Sequence, residues 1–229
     1  MDIENTPEYS RQNLHGIEDV ERALSRLQKD LPRANIDLLR NFNKTYLIIT
    51  RNVMQASSDD SFDHPDFLEK FDALFAHYYI EALRNHLGKN TLALPPAWKY
   101  AFEAAEKGKA SPFKCMVLGV NAHINNDIPQ VLLEVGASRQ HNRDYYFVNS
   151  IIKRSIDEVI DELEASDRLI NPKMTVLRPV YKLLMHVLVL MFRRLAWRNF
   201  RLLQKGSIER HLVELRSKRV ALLVRLLPM

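Results

Sequence analysis

Helical periodicity constrains this chain more than any other feature. Leu38, Leu39, Phe42, Tyr46, Ile49 and Val53 recur three to four positions apart, the spacing that gathers apolar side chains on one face of an α-helix. Similar patterns run through nearly the whole chain. Glycine supplies the positive φ that hairpins and phosphate-cradling loops need, yet only 6 of 229 residues are glycine. An all-β fold and a Gly-rich nucleotide cradle are therefore disfavoured. Hydrophobic residues make up 46% of the chain, enough for a substantial core. No linker composition, low-complexity stretch or internal repeat divides it. The expectation is an all-α fold: an irregular multi-helix bundle of about eight helices, a single domain over 1–229, with a basic C-terminal helical segment at 182–229.

Capping and breaking residues place the helices. They run from about Gly16 to Asp30, Ala34 to Ser57, Asp63 to Gly88, Pro95 to Gly108, Pro112 to Ser138, Asn142 to Ala165, Thr175 to Gln204 and Ser207 to Leu227. The third opens near Asp63, a capping carboxylate followed by Pro65. Pro129 has no N–H to offer the carbonyl of Asn125, so the fifth should kink or break there. The seventh has a weak point at Pro179. Leu183 to Phe192 is apolar throughout except for His186. That stretch is far short of the ~20 residues a bilayer requires. It reads as a central core helix, with His186 a satisfied core histidine.

Charge is unevenly distributed. The segment 182–229 carries 11 Lys/Arg and 2 Glu, whereas the first 181 residues carry 22 basic and 26 acidic groups. A basic tail on an acidic body suits an anionic partner, or docking on the protein's own acidic face. Internal pairing is the expectation, and nucleic acid is disfavoured. The mixture of Arg193, Arg194, Arg198 and Arg201 with Phe192, Leu195, Trp197 and Phe200 keeps peripheral membrane contact through 193–225 open. The lone Cys115 excludes an internal disulfide and suits a reducing compartment. With an acidic, polar N-terminus, a cytoplasmic location is expected. Cys115 itself reads as a small buried apolar side chain.

The polar residues that fall on apolar faces are the candidates for chemistry. Asp72 has Leu68, Phe75, Ala76 and Tyr79 as helical neighbours, so it points inward. Asn43 and Thr50 share the stripe of Leu39, Tyr46 and Val53. His123 and Asp127 are four apart and share a face. Asn121 and Asn125 form a second pair roughly on the opposite side, and one of the two should point inward. Asn149 lies near Tyr145, Ile152 and Ile156. His77 and Glu81 also have ligand spacing, but Lys70 and Arg84 on their stripe mark a solvated face. Buried polar groups are costly unless partnered, so this inward set either holds a network or forms a site.

The same residues carry a family resemblance. The signatures are Phe42-Asn43-x-x-Tyr46-Leu47-x-x-Thr50, Phe71-Asp72-x-x-Phe75-Ala76-x-x-Tyr79-x-x-Ala82-Leu83 and Pro96-Ala97-Trp98-x-x-x-Phe102. Asn121-Ala122-His123-Ile124-Asn125-x-Asp127-Ile128-Pro129 and Asp144-Tyr145-x-x-Val148-Asn149 complete the set. In combination they resemble an uncharacterised, mostly bacterial family classed as a domain of unknown function. Ile128 stands where leucine is expected. The resemblance implies a compact helical fold and brings no reaction with it. A fainter likeness links His123-x-x-x-Asp127-x-Pro129-Gln130 to the helical segment of zinc-dependent phospholipases C. Those enzymes need further histidines and a Trp near the N-terminus, and this chain has only Trp98 and Trp197.

Two functional readings follow. In the first, His123, Asp72 and Asp127 are catalytic, through acid/base chemistry or as ligands of a divalent metal in metal-assisted hydrolysis. Asn43, Asn125, Asn149, Tyr46 and Tyr79 then bind a small, partly apolar substrate. In the second, the protein is a non-catalytic ligand-binding or scaffold protein whose buried polar cluster is structural.

Overall fold

The computed structural model describes residues 9–34, 36–108, 110–166 and 172–226. Among them there is no strand. The helices are α1 (Ile17–Asp30), α2 (Arg40–Ser58), α3 (Pro65–Leu87), α4 (Pro96–Lys107), α5 (Pro112–Asn121), α6 (Ile128–Glu134), α7 (Asn142–Ser166), α8 (Pro172–Gln204) and α9 (Arg210–Leu226). A six-residue π-turn, Ala122–Asp127, joins α5 to α6 without a break. Taking α5, the π-turn and α6 as one rod gives the eight helices expected. None of the described helices is long and apolar enough to cross a membrane.

Of the kink or break expected at Pro129, no break occurs, and the distortion takes the form of the π-turn. A proline ring clashes with the carbonyl four residues back and offers it no hydrogen bond. Widening the turn to the π pattern relieves both problems and keeps the rod continuous. The side-chain amide of Gln130 then donates to the Asn126 carbonyl at 3.2 Å. Pro179 is likewise carried inside α8.

The rod is the hub of the bundle. Its π-turn packs against α3, α4, α8 and α9, while α5 packs on α2, α4 and α9 and α6 on α8. Outside the rod, α2 packs on α1 and α7, and α7 on α8. At Gly119 an added Cβ would lie 2.6 Å from Phe42 Cγ, so only glycine lets α5 approach α2 this closely. The cap of α3 also differs from expectation. The Asp63 side chain pairs with Arg143. Asp144, from the start of α7, instead accepts from the Asp63 and His64 amides at 2.9 Å each and satisfies donors the first turn cannot.

The expectation of α8 as a central core helix is overturned. Met185, Val189, Phe192, Ala196 and Phe200 are buried, but Val180, Leu183, Val187 and Met191 are exposed. His186 is only partly buried. An apolar run of this length covers both faces of a helix, and here only one face has a neighbour.

Candidate functional site

The π-turn presents His123 to a cavity of about 90 Å³ enclosed by α2, α3, α7, α8 and the turn itself. Its wall is mainly apolar. Asp72, His123, Tyr46 and Arg193 supply much of its polar chemistry. His123 is almost fully buried, its ring stacked on Phe75 with centroids 3.5 Å apart. Tyr46 lies against it at 4.6 Å between ring centroids.

One nitrogen of His123 is locked and the other is bare. Nδ1 lies 3.1 Å from Asp127 Oδ2. Asp127 also accepts from Trp98 Nε1 at 3.0 and 3.2 Å and from Asn126 Nδ2 at 2.9 Å. Donors on both oxygens favour the carboxylate form of Asp127, in which His123 donates from Nδ1 and keeps a lone pair on Nε2. Nε2 is buried and has no hydrogen-bond partner. Burial lowers the imidazole pKa, against the pull of Asp127, which keeps the ring neutral. Burial also pushes Asp127 upward, opposed by its donors, His123 first.

Asp72 supplies the complementary group. The residue is only partly buried, but its Oδ2 is sealed from solvent and has no partner. Burial and repulsion from Glu69 lift it to about 7, while Arg193 pulls the other way. The Tyr46 hydroxyl is also buried and unpartnered, and burial drives its pKa well upward. Thus three bare polar groups belong to one cavity wall. A closed structural network would have paired them.

Arg193 was assigned from the sequence to a surface segment and is in fact inside. It is buried beneath the Tyr145 ring, 4.2 Å from its centroid. It donates to the Tyr145 carbonyl at 2.7 Å and to Asn149 Oδ1. Burial lowers its pKa. A helical wheel aligns it with Val189, Ala196 and Phe200, a signal available in the sequence. Asp144 is the other buried charge missed, and it lies at the cavity edge while capping α3.

Several expected site residues are placed elsewhere. Asn43 is buried but donates to the Leu24 carbonyl and Gln28, tying α2 to α1. Tyr79 stacks on Trp98, at 5.2 Å between centroids, and does not line the cavity. Asn149 positions Arg193 rather than lining the cavity. Asn125 donates to Asn121, whose amide reaches the Ser217 carbonyl of α9. Cys115 is buried, its thiol pushed up to about 11, which suits its reading as an inert side chain.

The arrangement gives no support to the metal assignment of His123, Asp127 and Asp72. Both Asp127 oxygens are occupied by donors, and a proton on His123 Nδ1 blocks shared coordination with that carboxylate. Among the described residues no three His, Cys, Asp or Glu side chains are grouped to hold a metal ion.

A model of a family of unknown function, DUF5995, matches residues 17–228. The chain belongs to that family. No curated protein and no solved structure matches it.

Proposed function

We propose that this member of DUF5995 is a metal-independent acid/base enzyme acting on a small, largely apolar molecule that carries one hydrogen-bond-accepting group. The observation that carries this reading is the bare Nε2 of His123, a residue of the cavity wall, with Nδ1 held by Asp127. A neutral imidazole with a fixed tautomer is poised to take a proton. Asp72, near 7, is poised to give one. Burial moves the two in opposite directions, the imidazole down and the carboxyl up, so that a neutral base and a protonated acid coexist at one pH. Arg193 and the Tyr46 hydroxyl supply donors for the substrate's polar end, and the apolar wall takes the rest.

The test is a panel of apolar-chain esters and enolisable carbonyl compounds, followed by hydrolysis and by deuterium exchange from solvent. The expected result is turnover that falls by about 10²–10⁴ on His123→Ala, the usual contribution of a general base. The mostly apolar lining also suits the second reading, a carrier without chemistry. Tight binding of an apolar probe by the wild type, with no turnover of any panel member, would establish the carrier instead.

A further inference from the structure

Beyond Lys182, the described basic groups of the C-terminal helices do not pair with the acidic body as the charge distribution suggests. Arg178 and Lys182 do pair, with Asp161, Glu164 and Asp157. From Arg194 to Arg219, no Lys or Arg among the described residues lies within ion-pair distance of a carboxylate. This positive charge is left open to a partner.

The unpaired charges share faces with exposed apolar side chains. Along α8, Val180, Leu183, Val187 and Met191 are exposed, and the same helical stripe continues into Arg194 and Arg198, both exposed. On α9 the exposed stripe interleaves Leu212, Arg216, Arg219 and Leu223. The two stripes meet at a groove of about 350 Å³ between the helices, where Arg198, Arg216 and Arg219 converge with Asn199, Ser217 and the buried Asn125. No acidic residue lines it. Asn125 Oδ1 is sealed from solvent there without a partner.

We propose that this α8–α9 face docks on an anionic phospholipid bilayer and that the groove receives a lipid headgroup phosphate. Three guanidinium groups converge on it as they do on phosphate oxygens. The aliphatic side chains on both stripes enter the acyl boundary, as those of interfacial helices do. Two other occupants fit less well. A second copy would bring like-charged arginines together, because a two-fold interface pairs a patch with itself. A single-stranded nucleic acid calls for aromatic platforms, whereas these stripes carry aliphatic side chains.

The test is co-sedimentation of the full chain with phosphatidylcholine vesicles, with and without phosphatidylglycerol, at low and high salt. Binding is expected only with phosphatidylglycerol, and it weakens as salt screens the charges. Each arginine near such a surface contributes about fivefold. Arg198→Ala with Arg219→Ala should therefore lose roughly thirtyfold in partitioning. Leu223→Asp should also weaken binding, whereas Lys153→Ala with Arg154→Ala on α7 should leave it intact. Circular dichroism melts confirm that each variant is folded. Equal binding to phosphatidylcholine alone, no binding at low salt, or an equal loss in the α7 control would overturn the proposal. So would a dimer in sedimentation velocity that Leu223→Asp dissolves, or a nucleic acid complex that the arginine pair abolishes while vesicles go unbound.

Discussion

Replacing Asp72 with Asn isolates the cost of keeping a carboxyl in the cavity. Burial and the nearby Glu69 raise Asp72 from 3.8 to about 7, with Arg193 pulling the other way. A raised carboxyl pKa means that the folded state holds the proton more tightly than the unfolded chain does. The resulting stability is fully present below pH 3.8 and is lost as pH climbs through about 7. The whole loss is roughly 4 kcal/mol at 1.36 kcal/mol per tenfold in proton affinity, and roughly 2 kcal/mol of it falls between pH 5 and 7. Asparagine is nearly isosteric and does not titrate. Stability of Asp72→Asn minus that of the wild type should therefore rise by roughly 2 kcal/mol over that interval, a relative gain in Tm on the order of 4–8 °C for a chain of this size. Urea denaturation at matched pH gives the difference directly, and the subtraction removes the titration of groups common to both proteins. A difference that stays flat, or that falls with pH, would refute the argument. A variant that gains stability and loses turnover would mark Asp72 as a residue kept for chemistry.

Three further substitutions probe the scaffold. Trp98→Phe withdraws a donor from both oxygens of Asp127 and should cost about 1–3 kcal/mol; an unchanged urea midpoint would show that the indole does not hold the carboxylate. Gly119→Ala drives a methyl into the Phe42 ring and should lower stability by about 1–3 kcal/mol, seen as a drop in Tm that Phe42→Leu partly restores. Asp144→Ala strips the start of α3 of its acceptor and should cost about 1–3 kcal/mol; hydrogen exchange at Asp63 and His64 should quicken first, and unaltered protection there would count against the cap.

Burial was legible in the sequence more readily than partnership. The apolar neighbours of Asp72 one turn either way were enough to turn it inward, and helical spacing alone put His123 and Asp127 on one face. Asn43 and Asn125 were also rightly read as buried, but a bundle interior has several walls, and a helical wheel does not say which wall a residue meets. Asn43 meets α1 and Asn125 meets the α8–α9 groove. The error at α8 has the same origin. Nine apolar residues in a run of ten cover both sides of a helix, and only tertiary packing decides that Met185 is buried while Val187 is exposed. Arg193 was missed because its charge grouped it with Arg194 and Arg198 beside it, although its helical phase differs from theirs. Asp144 was missed as a cap because its partners lie some 80 positions away in sequence.

The π-turn explains how one short segment serves two walls. His123 lines the cavity with Asp127 bonded to its Nδ1, while Asn121 and Asn125 tie to α9 and its groove. Between them stands Asn126, fully buried. Its amide nitrogen donates to Asp127 Oδ1 at 2.9 Å, and its amide oxygen accepts from Ser217 Oγ of α9 at 3.4 Å. One side chain thus straps the orienting carboxylate to the outer helix. A regular α-helix carries a fixed set of residues on each face, whereas a π-turn adds one residue to the turn and makes room for three consecutive buried polar side chains with different neighbours. Each of the three has a use: Asn125 at the groove, Asn126 as the strap, Asp127 behind His123. The proline two residues later supplies the steric reason for the wide turn. In this rod, the proline expected to kink or break the helix accounts for the geometry that places His123 on the cavity wall.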